Sequence, residues 1–125
     1  RRNDVLRLWA AWYRLGDEGW NRRVDRQMAL ARFAARSIEA DAELALVEEP
    51  PLINVCFEYP GVSSAALCDY LDTQGIMKIG HGEAKGRRAI RLVCVNPDIS
   101  EERILALLDD IKRAARDLIK KEGKQ

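Results

Sequence analysis

Nowhere in this sequence do apolar residues run for the ~20 positions a helix needs to cross a bilayer. No signal peptide is legible either, so neither a membrane protein nor an exported one is expected. Metal ligands are scarce. One histidine, His81, and three cysteines without a Cys-x-x-Cys spacing supply a tetrahedral zinc site poorly. The odd cysteine count, with Cys56, Cys68 and Cys94 all in apolar runs, fits small buried hydrophobes in a reducing cytoplasm rather than a disulfide framework. An excess of one charge is missing too: 21 Lys and Arg against 20 Asp and Glu leave a net +1, no footprint for nucleic acid. There is no internal repeat, no low-complexity tract and no glycine-rich loop to cradle a phosphate.

What is present is amphipathic pattern. With 47% hydrophobic and 33% charged residues, the 125 positions suit one domain that buries roughly two-thirds of its unfolded surface. In NDVLRLWAAWYRLG, Val5, Leu8, Trp9, Trp12 and Leu15 recur at helical spacing, with Asn3 or Asp4 as the cap and Gly16 as the stop. A longer helix is expected over DEGWNRRVDRQMALARFAARSIEA, with Trp20, Val24, Met28, Ala31, Ala35 and Ile38 along one face. Arg22, Arg23, Arg26, Arg32 and Arg36 fall mostly on its other faces, interleaved with acids, and read as solvated. Trp9 and Trp12 have the spacing of packing residues. The first helix nevertheless carries more bulky apolar surface than a chain of this size covers, so it is expected to pack on a larger partner.

The period then changes to two. ELALVEE and INVCFEY read as strands, the second ended by Pro60-Gly61. SSAALCDYLDTQG reads as a short helix capped by Ser63 or Ser64, with Gly75 past its end. IMKIG is expected as a strand, HGEAKG as a tight polar turn and RAIRLVCV as a further strand ended by Asn96-Pro97. ISEERILALLDDIKRAARDLIKK is a strongly amphipathic helix with Ser100 as cap, acids at its start and Lys120 and Lys121 at its end. The expected organisation is a helical segment over 1–40, an α+β unit over 41–122 and a tail over 123–125. Short connections imply a mostly antiparallel sheet with helices on one face, preceded by two helices. By topology alone, residues 53–119 are close to a ferredoxin-like or ACT-like module, a non-catalytic regulatory or dimerisation unit.

Arg91 is the residue that asks for an explanation. Alternation along RRAIRLVCV puts it on the same strand face as Ala89, Val93 and Val95, where an unpaired charge would cost several kcal/mol if buried. Read from the strand alone, it is an edge-strand arginine whose stem packs and whose head reaches water or a local acid.

Four stretches in order, RND-LRLW-AW--LG-EG, RRVDRQMALARF, INVCFEY and IRLVCVNPDIS with the amphipathic helix after it, resemble the C-terminal domain of group II pyridoxal-phosphate-dependent amino-acid decarboxylases. This family includes the glutamate, cysteine-sulfinate and aromatic amino-acid enzymes. The likeness covers nearly the whole chain, with a shorter segment between Tyr59 and Ser64. It implies the small C-terminal domain of the type I aminotransferase fold, as a domain or small subunit of a cytoplasmic lyase. It also implies pyridoxal phosphate as cofactor, an amino-acid substrate, a large cofactor-binding domain or subunit as partner, and a dimer of the assembled enzyme. The family's arginine on this strand, matched by Arg91, binds the substrate α-carboxylate and holds it out of the cofactor ring plane. His81, after Lys78-Ile79-Gly80, matches a position where the family often has an aromatic or histidine near the site. The family's Schiff-base lysine, in its His-Lys context, has no counterpart here, so this chain is not expected to turn over alone. A break before Arg1 would fall in the family's mobile catalytic loop, which implies either a nicked polypeptide or an enzyme encoded in two pieces.

Overall fold

The structure, a computed structural model, describes residues 3–124. Helix α1 (Asp4–Glu39) opens at Asn3, whose side chain accepts from the Leu6 amide at 3.3 Å. Gly16 interrupts it with φ 64° and ψ 179°, so it consists of two helical segments, as the glycine stop predicts. The second segment enters the core through Leu30, Ala31, Ala34, Ala35 and Ile38. The expected apolar face is therefore right only toward its end: Val24 is exposed, because the segment has not yet reached the sheet there.

Strands β1 (Ala45–Leu46), β2 (Asn54–Glu58), β3 (Gly80–Ala84) and β4 (Arg87–Val93) form one antiparallel sheet in the order β1-β2-β4-β3. Helices α2 (Ser64–Thr73) and α3 (Glu101–Glu122), capped by Ser63 and Ser100, pack with α1 on one side of it. β2 and β3 run parallel with β4 between them, so β2-α2-β3 is a split β-α-β unit. The fourth position in the sheet is filled by β1, from before this unit. The α+β expectation holds.

Two expected elements move. IMKIG is not a strand. Its apolar residues Met77 and Ile79 pack on the core as the connection leaving α2, where Ile76 and Met77 donate back to the Leu71 carbonyl. HGEAKG is mostly strand, and the turn is Lys85-Gly86 alone, with φ of 48° and 71°. Positive φ at both central residues is the two-residue hairpin geometry that continues strand twist. β3 was illegible because it is an edge strand with glycines on one face and polar residues on the other.

The core lies between the helices and one sheet face: Val55 and Phe57 from β2, Ile90 from β4, Cys94 just after it, Leu67 and Leu71 from α2, and Ile104, Leu108 and Ile111 from α3. Fully burying each such side chain stabilises by about 1.5–3 kcal/mol before entropy is counted.

Candidate functional site on the bare face of the sheet

With helices on one side only, the opposite sheet face is bare. Alternation along β4 sends Ile90 and Leu92 to the core and Arg87, Ala89, Arg91 and Val93 to the bare face. Arg91 stands in the middle of a three-strand rung, opposite Cys56 on β2 and Gly80 on β3. Of the apolar residues read as sharing its face, Ala89 is buried but Val93 is 36% exposed and Val95 60%, and Arg91 itself is exposed. The guanidinium therefore pays no desolvation within this chain. No carboxylate among the described residues pairs with it, whereas its neighbour Arg87 is held by Glu58 at 3.0 Å. A cleft of about 280 Å³ opens beside it, lined by Lys78, Gly80 and Val93 and, from the helix side, by Met77, Leu92 and Leu107.

His81 is not brought to this place. It lies in β3 rather than a turn, paired with Ile90, so its parity turns it to the opposite face from Arg91. Cys56 shares the face and is half-buried; burial, then the Glu48 charge, raises its thiol pKa, while the Arg91 charge opposes them. Cys68 and Cys94 are buried thiols, also raised by burial, which suits their reading as small core residues. No group of three candidate metal ligands occurs among the described residues.

Trp9 and Trp12 do not pack in the core. They are 60% and 47% exposed, because the segment before Gly16 projects beyond the sheet. Trp12 donates its indole N–H to Asp17 at 2.7 Å and tilts against Trp20, while Trp9 stacks on Tyr13. The indole N–H of Trp20 is buried with no acceptor.

A polar cluster on the helix side escaped sequence reading. Glu43 accepts from Arg116 Nε at 2.8 Å, from Arg116 Nη2 at 2.5 Å and from Tyr59 Oη at 2.9 Å. Those bonds, led by the Arg116 fork, hold the Glu43 carboxyl at about 2. Lys112 donates to Asp41 at 2.6 Å and pairs with Asp109 at 3.0 Å; the Lys112 bond lowers the Asp41 pKa. Partners 71 to 73 positions apart leave no local signal. The cluster ties the start of the sheet to α3 and is structural.

The chain matches the family model described as the pyridoxal-dependent decarboxylase conserved domain over residues 1–60. It is 32% identical to the cysteine sulfinic acid decarboxylase of Mus musculus, over 94% of this chain and 28% of that protein. It is 29% identical to an acidic amino acid decarboxylase of Mus musculus, over 94% and 25%. A crystal structure of the mouse cysteine sulfinic acid enzyme in apo form superposes with a TM-score of 0.83 at 30% identity, over 94% of this chain and 28% of that one. The chain thus spans little more than a quarter of the length of these relatives.

Pyridoxal phosphate is the cofactor this family implies, and most of the described lysines are engaged with neighbouring side chains. Among the described lysines, Lys78 pairs with Asp72, Lys85 with Glu48 and Lys112 with two aspartates, and Lys121 lies over the Tyr70 ring. Lys120 and Lys124 sit at the far end of the chain. Arg91, with no carboxylate partner among the described residues, is a planar fork of donors that suits a carboxylate. These matches support a domain of the group II pyridoxal-phosphate-dependent decarboxylases, and the α+β architecture agrees with it.

Proposed function

We propose that this domain completes the active site of a pyridoxal-phosphate-dependent amino-acid decarboxylase by binding the substrate α-carboxylate through Arg91. The observation that carries the reading is a guanidinium at the centre of a sheet face, with no carboxylate partner and no covering helix among the described residues. A body laid over that face would exclude water from Arg91, and a charge-assisted pair strengthens as the dielectric falls. The partner is a large cofactor-binding domain or subunit, which supplies the anchoring lysine and the electron sink for the bond that breaks. The role of Arg91 is narrower. It holds the carboxylate in one orientation until carbon dioxide leaves. His81, on the opposite sheet face by its strand parity, is given no role in this reading. The names of the similar enzymes support a small acidic amino acid as substrate, and family likeness supports a dimer of the assembled enzyme.

The test is Arg91→Met in the cofactor-loaded holoenzyme, assayed with L-cysteine sulfinate. Retained cofactor absorbance with a large loss of kcat/KM is expected. Near wild-type kinetics in the folded variant would return Arg91 to a solvated strand cation.

A further inference from the structure

Gly80 stands directly across from Arg91 at the start of an edge strand. Two ordinary reasons for a strand glycine fail there. Its φ is not in the left-handed region, so the backbone does not need it, and a Cβ built on it would meet no atom within 4 Å, so packing in this chain does not need it. A glycine inside a strand also weakens the strand, and a remaining reason to keep one is the close approach of something else. Directly opposed residues hold their Cβ atoms about 4.5–5.5 Å apart, so any side chain at 80 would stand beside the Arg91 stem and guanidinium. The other rung neighbour, Cys56, is small as well. A cleft of about 280 Å³ is lined by both Gly80 and Arg91 and reaches Leu92 and Leu107 on the helix side.

We propose that Gly80 is a specificity-determining residue: its missing side chain is the opening through which the substrate carboxylate reaches Arg91. The inference rests on the proposed role of Arg91. It makes a prediction that a structural role does not. Valine is favoured over glycine in strands, and a Cβ at position 80 meets no atom within 4 Å. Gly80→Val should therefore leave the fold intact or firmer while it obstructs the substrate.

The experiment compares Gly80→Ala, Gly80→Val and Arg91→Met in the cofactor-loaded holoenzyme, with melting temperature, cofactor absorbance and steady-state kinetics on L-cysteine sulfinate. Expected are unchanged absorbance, a melting temperature equal to or above wild type for both glycine variants, and a KM that rises modestly for alanine and at least tenfold for valine. Wild-type KM in Gly80→Val, with Arg91→Met impaired, would overturn the role of Gly80 and leave that of Arg91 standing. Wild-type kinetics in Arg91→Met would remove the reading on which both rest. A fall in melting temperature with loss of cofactor in Gly80→Val would mean that position 80 accommodates the backbone of the other domain, and would also overturn the inference.

Discussion

At the scale of single residues, the chemistry proposed for Arg91 depends on shape as much as on charge. A guanidinium offers two parallel N–H donors to one carboxylate, and an ammonium on a flexible stem cannot reproduce that plane. Arg91→Lys is therefore expected to fail almost as badly as Arg91→Met. Loss of positioning worth about 3–4 kcal/mol lowers kcat/KM by a factor on the order of a few hundred. Steady-state decarboxylation by the assembled enzyme, with melting temperature as the folding control, measures it. A lysine variant close to wild type would mean that charge alone suffices and that the fork geometry is idle.

At the scale of elements, two junctions carry the architecture. The first is the kink at Gly16, whose φ of 64° and ψ of 179° fall in a region essentially restricted to glycine. Gly16→Ala is expected to cost about 1–3 kcal/mol at the kink or to straighten the helix, and either outcome redirects the segment bearing Trp9 and Trp12. A lowered melting temperature and weaker assembly with the large domain are the expected readouts. The second junction is the Glu43 clamp between the connection into β1, β2 and α3. Its carboxyl lies at about 2 when folded and ordinarily at 4.5, so the folded state is favoured by the ionised form. That contribution is complete above pH 4.5 and is lost as pH falls toward 2. Asp41, lowered by Lys112, titrates in the same direction. The melting-temperature gap between wild type and Glu43→Gln should be constant above about pH 5 and close as acid is added. A gap of constant size down to pH 2 would show that the carboxylate charge is not what the clamp uses.

At the scale of the whole molecule, the first helical segment is an exposed apolar surface. Val5, Leu6, Leu8, Trp9, Trp12 and Tyr13 are all close to half exposed or more within nine residues, while the chain spans little more than a quarter of its relatives' length. Exposed apolar patches beyond a few hundred Å² mark interaction sites. Expressed alone, the chain is expected to bind an apolar dye or self-associate, and coexpression with the cofactor-binding part should abolish both. A monomer that melts cooperatively and binds no dye would contradict the proposed partner. The bare sheet face and this segment are separate exposures, so Trp9→Asp should weaken assembly, whereas Arg91→Met should weaken turnover.

The sequence by itself determined the elements whose code is local. Ser100 caps α3, the caps of α1 and α2 are narrowed to Asn3 or Asp4 and to Ser63 or Ser64, Gly16 breaks the first helix, and the apolar period of α3 marks its buried side. The strand period likewise assigned Arg91 to the face of Ala89 and Val93. Tertiary structure decided which faces meet anything. It left Arg91, Val93, Trp9 and Trp12 uncovered, placed β3 at an edge where no apolar alternation is needed, and turned His81 away from Arg91. It also brought Glu43 to Arg116 across 73 positions. Periodicity reports that a face is apolar or polar. Only the packing of distant segments determines which atoms come to cover it.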